Sequence, residues 1–165
     1  FPTSFIPTTS AALARSSDVM NIPTGAWYNQ SAGSFFADVG WESVSGTNYA
    51  MLSRFDDTTN NNRWNISYNQ SSNRVGADAF TLSVLQGSFN SPTQSTAGTI
   101  KAAFGQQLNS ANAAYNGSVG ILDTGWTSPT VTQWTIGVTH SRSWVKNFKY
   151  YPLRITDTQL QLLTQ

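Results

Sequence analysis

Apolar and polar residues alternate with a period of two along most of this chain. Phe35, Ala37, Val39 and Trp41 fall on one face of an extended segment, with Phe36, Asp38 and Gly40 on the other. Tyr49, Met51, Ser53 and Phe55 repeat the pattern. Trp64, Ile66 and Tyr68 follow, then Phe80, Leu82 and Val84, then Ile100, Ala102 and Phe104, then Trp134, Ile136 and Val138. Successive side chains of a strand point to opposite faces, so each run predicts a strand with one buried and one wet side. Six such runs separated by polar turns predict an all-β, two-sheet antiparallel sandwich.

The breaks between runs carry their own chemistry. Asp56 to Asn62 (Asp-Asp-Thr-Thr-Asn-Asn-Asn) offers a side-chain oxygen to the backbone at nearly every step, which predicts an Asx-rich turn. Asn116-Gly117 predicts a two-residue hairpin turn, because both residues tolerate positive φ. Val145 and Phe148 are three positions apart where alternation demands two, which predicts a bulge in the last strand. Thr156-Asp157-Thr158-Gln159 fits a capping box, with Ile155 and Leu160 spaced as a hydrophobic staple, and predicts one short C-terminal helix. No internal repeat or linker interrupts residues 1–165, which read as a single domain. Because the chain starts at Phe1 without Met, it is expected to be an excised or processed piece of a longer protein, read as its C-terminal module.

Composition narrows the setting. Charged residues make up 10% of the chain, against about 25% in an average soluble domain. Solubility therefore rests on Ser, Thr, Asn and Gln, a composition suited to extracellular or virion proteins. The net charge of +1 has no Lys/Arg cluster behind it, which removes the electrostatic basis for nucleic acid as a partner. There are no cysteines, which points to a bacterial or phage origin rather than a disulfide-stapled eukaryotic one. No apolar run approaches the roughly 20 residues of a membrane span, so membrane insertion is not expected.

Four stretches resemble a known family. They are Thr3-Ser4-Phe5-Ile6-Pro7-Thr8-Thr9 with Arg15 and Asp18; Trp27-Tyr28-Asn29-Gln30 running into Gly33-Ser34-Phe35-Phe36; Trp134-Thr135-Ile136-Gly137; and Trp144 to Pro152 continuing through Leu153-Arg154-Ile155 into Thr156 to Leu160. Together they resemble the concanavalin A-like, laminin G-like jelly roll found in phage tail fibres, tailspikes and other virion proteins. Residues 42 to 132 rest on strand pattern alone. The resemblance implies a receptor-binding, carbohydrate-binding or structural role in the virion, often as a homotrimer within a fibre. Asn90 to Ser95 and Asp123 to Pro129 look particular to this chain.

The chemistry favours binding over catalysis. Retaining glycosidases need two carboxyls about 5–5.5 Å apart. Glu42, the one Glu, has no acidic residue at i+2 or i+4, and Asp56 and Asp57 are adjacent, pointing apart if extended. His140 and Arg142 share a face and keep a lyase open, with Tyr150 or Tyr151 not far along the chain. No Gly-x-Ser-x-Gly elbow exists, and one His without Cys argues against zinc. Calcium has a candidate oxygen set in Asp56, Asp57 and Asn61, to be weighed against a plain solvated turn. Asn-x-Ser/Thr occurs at Asn29, Asn65, Asn69 and Asn116, and reads as composition rather than glycosylation. Among the tryptophans, Trp27, Trp64, Trp134 and Trp144 read as core. Trp41, after a Gly at a strand end, and Trp126, in the loop Asp123 to Pro129, read as ligand or subunit contacts, unless they pack over an open end of the sandwich. A coarse up-and-down count puts 56–63, 88–98, 116–117 and 139–143 at one end, where Asp57, Asn61, His140 and Arg142 would converge. The reading is a phage tail module that binds a bacterial surface glycan through Trp126, Trp41, Asp57, Asn61, His140 and Arg142. The alternatives are a structural or trimerisation module and, after it, a polysaccharide-degrading enzyme.

Overall fold

The computed structural model describes residues 19–41, 49–94, 97–136 and 143–165. They form eleven strands and one helix: β1 (Met20–Pro23), β2 (Ala32–Trp41), β3 (Tyr49–Asp56), β4 (Arg63–Asn69), β5 (Arg74–Thr81), β6 (Val84–Asn90), β7 (Gly98–Gln107), β8 (Ser110–Tyr115), β9 (Ser118–Val119), β10 (Gln133–Ile136), β11 (Ser143–Tyr151) and α1 (Asp157–Leu163). A six-stranded sheet has the order β1-β10-β3-β4-β5-β6 and a five-stranded sheet the order β11-β2-β7-β8-β9. Every strand pairing is antiparallel, and the two sheets face each other as a sandwich.

The core is aromatic because the inward positions are. Phe35, Val39 and Trp41 from β2 meet Phe55 from β3, Trp64, Ile66 and Tyr68 from β4, and Ile100 and Phe104 from β7. Phe55 stacks between Trp64 at 4.2 Å and Trp134 at 5.3 Å, while Phe35 meets Trp64 edge-on at 5.7 Å. Such pairs add about 0.5–1.5 kcal/mol each beyond the area they bury. On the far side of the five-stranded sheet, α1 closes a second, smaller cluster. Thr156 caps it through the reciprocal box: Gln159 N–H donates to Thr156 Oγ1 and Thr156 N–H to Gln159 Oε1. Ile155 and Leu160 pack on Phe36, Ala103 and Ala114, the small alanines leaving room for the helix.

The helix, the positive-φ turn at Asn116 and Gly117, and the bulge between Val145 and Asn147 follow the sequence reading. Three expectations are corrected. The β3 alternation breaks at a register shift between Met51 and Ser53, so Leu52 enters the core. Phe80, Leu82 and Val84 do not share a strand. Phe80 lies at the end of β5, while Leu82 and Ser83 form a hairpin turn with φ of 49° and 66°, a conformation rare without Gly. The core face of β5 is instead Val75, Ala77 and Ala79. Finally, the loops do not share one end. Turn 57–62 lies at the end of β3 where Asp56 pairs with Gln133, whereas Asn116-Gly117 and the stretch after Asn90 lie at the other. β10 runs away from the 57–62 turn, and its Ile136 pairs with Ser53. Asp57 and Asn61 thus cannot converge with the residues that bracket 137–142, Ile136 and Ser143. His140 and Arg142 themselves lie outside the described residues, as do Glu42, Val138 and the Thr3 to Asp18 stretch.

Candidate functional site

The outward face of the six-stranded sheet is the polar complement of the core. Because Trp64, Ile66 and Tyr68 point in, Arg63, Asn65, Ser67 and Asn69 point out. Because Val75, Ala77 and Ala79 point in, Arg74, Gly76, Asp78 and Phe80 point out. Register then aligns these residues in rows across the strands: Arg63–Phe80–Leu85, Asn65–Asp78–Ser88, Ser67–Gly76–Asn90, and Asn69–Arg74. The rows line two adjoining hollows of about 510 and 350 Å³ that share Ser67, Asp78 and Phe80, and so form one open groove with Met51 on its β3 side.

The floor is sunk. Asn65 is 4% exposed and Ser67 3%. Gly76 deepens it, since no side chain stands between Ser67 and Asn90. The nearest atom to a Cβ there would be the end of the Asn90 side chain, at 3.0 Å. At one end the Arg63 guanidinium lies 3.9 Å from the Phe80 ring centroid, a cation–π contact that holds it against the wall. At the other, Arg74 is exposed and makes no ion pair among the described residues. Between them burial pushes the Asp78 carboxyl above its ordinary 3.8, against the opposing pull of a Ser88 hydrogen bond and the Arg63 charge. Amide, hydroxyl, carboxylate and guanidinium groups thus present planar donors and acceptors along an open trough. Among the described residues, Asp78 is the one carboxylate lining it.

Trp64 and Trp134 lie in or against the core as expected, but the other four tryptophans sort opposite to expectation. Trp41 and Trp126, expected to be exposed, are both 0% exposed. Trp41 stacks on Tyr68 at 4.9 Å. Trp126 is carried inward by the loop that follows β9. Asp123 bonds Ala111 in both directions, Gly125 N–H donates to Asp123 Oδ1, and Asn109 N–H donates to the Trp126 carbonyl. The indole then fills the opening at the sandwich edge against Phe104 and Phe89, and Nε1 donates to Gln106 Oε1 at 3.2 Å. Reading these two as exposed platforms is therefore corrected: the core needs both. Trp27 and Trp144, expected in the core, are 36% and 46% exposed. Tyr150, considered for a lyase, lies inward at the far end of β11 from Ser143, with its hydroxyl bonded to the Asn29 backbone.

The acidic turn is internally satisfied. Asp56 is buried and accepts from Arg54 Nε at 2.6 Å, Gln133 Nε2 at 2.8 Å and Thr58 N–H at 2.7 Å. Asp57 accepts from Thr59 and Asn62, which hold its carboxyl below the usual value, and Asn61 Oδ1 accepts from Ser83 Oγ. These oxygens hold the turn rather than face a common open position for calcium. Among the described residues no group of three or more His, Cys, Asp or Glu converges. Alanine at Asp57 and at Asn61 is accordingly expected to lower stability slightly, by about 1 kcal/mol each, and to leave ligand binding unchanged. Urea melts alongside a binding isotherm check this, and a binding loss of tenfold or more with intact folding would return the turn to the site.

No family model and no curated protein sequence matches the chain. Solved structures do match in fold. The Ruminococcus gnavus IT-sialidase CBM40 aligns with a TM-score of 0.59 at 11% identity, over 83% of this chain and 84% of that one. Trypanosoma rangeli sialidase in complex with the inhibitor DANA aligns at 0.60 and 14%, over 82% of this chain and 23% of that one. The binding domain of botulinum neurotoxin DC, in complex with rat synaptotagmin II, aligns at 0.63 and 13%, over 81% and 35%. The alignment thus spans about a quarter of the sialidase and most of the CBM40 domain. At these identities the likeness establishes the sandwich fold.

Proposed function

We propose that this chain is a non-catalytic carbohydrate-binding module whose ligand lies in the outward groove of the six-stranded sheet. The observation that carries it is the sunken row Asn65–Asp78–Ser88, with Ser67 and Asn90 beside it, lying open between Arg63 on Phe80 and an exposed Arg74. Two guanidiniums flanking a single carboxyl favour a saccharide that itself carries a carboxylate. The CBM40 and toxin binding domains among the structural neighbours support a binding role for this sandwich. The resemblance carried by the Tyr150-Tyr151-Pro152 strand end and the capped helix implies a place in a phage tail, where the module would recognise a bacterial surface polysaccharide. A trimeric fibre would multiply weak single-site affinity. An array of bacterial polysaccharides, with adsorption of tagged protein to bacterial cells, tests this; silence in both would count heavily against it.

The groove also predicts a pH dependence. Asp78 has a raised value in the fold, so it takes up its proton at a higher pH than an ordinary aspartate. As pH falls through that raised value, the floor loses its negative charge and an anionic saccharide binds more tightly, until the ligand's own carboxylate protonates. By the same sign, the stability contributed by neutral Asp78 is present at low pH and lost as pH rises through the raised value. Calorimetric titration across this window is expected to show the tightening in the native protein and not in Asp78→Asn. Equal tightening in both would remove Asp78 from the account.

A second reading, a structural or trimerisation module, is favoured by the sandwich edge at β6. Leu82, Val84, Leu85, Ile121 and Leu122 are all exposed there, and no charged residue occurs from Phe80 to Ile100 or from Leu108 to Leu122. Such an edge lacks the charges that usually block strand-to-strand association. Light scattering over a concentration series, read beside the polysaccharide array, separates the two, since this reading demands an oligomer that binds no glycan.

A further inference from the structure

Trp144 occupies a surface that the groove does not explain. It sits on β11, the edge strand of the five-stranded sheet, directly opposite Gly40 of β2, which in turn faces Thr99 of β7. The indole lies over Gly40 so closely that a Cβ there would collide with Cε2, Cζ2 and Nε1. A glycine at this point is therefore what allows the ring to rest on the sheet. Unlike Trp27, whose Nε1 donates to the Pro23 carbonyl and whose ring touches Tyr28, Trp134 and Tyr150, Trp144 makes no ring contact or indole hydrogen bond among the described residues. It remains 46% exposed.

One row further along, the same outward face becomes polar. Asp38 aligns with Lys101, and Lys146, the residue extruded by the β11 bulge, reaches Asp38 at 3.8 Å. With Thr99 and Asn116 these residues line a shallow basin of about 360 Å³ beside the end of α1. The Lys146 side chain is 78% exposed, so its pairing with Asp38 is weak and readily exchanged for another donor. Lys101 is engaged with the Gln165 carbonyl. An exposed indole beside a carboxylate, ammonium and hydroxyl combines an apolar platform with a few polar groups that fix orientation.

We infer that this face of the five-stranded sheet is a second saccharide site, in which Trp144 underlies the C–H face of a neutral sugar ring and Asp38 accepts from adjacent hydroxyls. It is separate from the groove, on the opposite sheet, and does not depend on that site being occupied. The bulge at Lys146 and the bare backbone at Gly40 are then features of recognition as well as of strand geometry. Shielding of a strand glycine by a neighbouring aromatic would use the same contact without any ligand, so the test must read the ligand.

Labelling the indole nitrogens with ¹⁵N yields one signal for each of the six tryptophans, and Trp144→Phe identifies the one that matters. Titration with neutral maltotriose, cellotriose, chitotriose and lactose is expected to move the Trp144 signal saturably with at least one of them. The shift should persist in Gly76→Phe, which fills the groove. Gly40→Ala, which displaces the indole, and Asp38→Asn, which keeps the fold's shape, should each weaken that binding by about tenfold while groove binding is retained. If none of the four sugars moves the Trp144 signal, or if the shift disappears in Gly76→Phe, the second site is overturned.

Discussion

Replacing Trp126 by alanine is expected to lower stability by about 3–5 kcal/mol, the cost typical of truncating a large buried aromatic. The side chain is fully buried, packs on Phe104 and Phe89, and lies against Gly87, where an added Cβ would approach its ring to 3.0 Å. Alanine would open a cavity at the sandwich edge and remove one of the two donors to Gln106, whose carboxamide accepts from both Trp126 Nε1 and Ser128 Oγ. Gln106 is itself 1% exposed, so the lost hydrogen bond is not replaced by water at no cost. Trp126→Phe should cost less, keeping the ring contacts and losing the N–H. Urea titration with a fixed m-value would read both. A surface platform would behave the other way, with near-native stability and abolished binding, and that outcome would restore Trp126 as a ligand contact.

The contrast between Trp126 and Trp144 shows where the sequence was legible and where it was not. Local chemistry was readable wherever it acts over a few residues: the Thr156–Gln159 box, the Asn116-Gly117 turn and the bulge after Val145 all depend on near neighbours. The alternating runs mark the correct inward face in β2, β4 and β7 because their core residues are large. In β5 the inward residues are Val75, Ala77 and Ala79, too small to stand out beside Phe80, Leu82 and Val84, which straddle a turn that contains no glycine. The groove stays hidden as a result, since Arg74, Gly76, Asp78 and Phe80 are outward only once Val75 to Ala79 are inward. Asn65, Ser67 and Asn69 could have been found as the wet partners of Trp64, Ile66 and Tyr68.

Long-range placement was the other obstacle. Trp126 stands in a loop full of breaker residues, and only the return of that loop onto Ala111 and Asn109 carries the indole inside. Trp144 stands in a strand, but on its outer face at a sheet edge. Neither fact is local. The sandwich ends were misassigned for a nearer reason: counting Phe80, Leu82 and Val84 as one strand hides the β5–β6 hairpin, and one missed reversal puts the 57–62 turn at the wrong end.

The central claim is that the outward groove of the six-stranded sheet binds the glycan, and Gly76 gives direct access to it. Its φ lies outside the left-handed region and the tightest contact of a side chain there is with the flexible end of Asn90, so Gly76→Phe should fold normally. A phenyl group would fill the floor between Ser67 and Asn90 without touching the core. The deciding measurement is the affinity of Gly76→Phe and native protein for whichever polysaccharide the array selects, with melting curves recorded for both. The groove account predicts a loss of at least about a hundredfold, or roughly 2.7 kcal/mol, at unchanged melting temperature. Native affinity in a folded Gly76→Phe protein would contradict it.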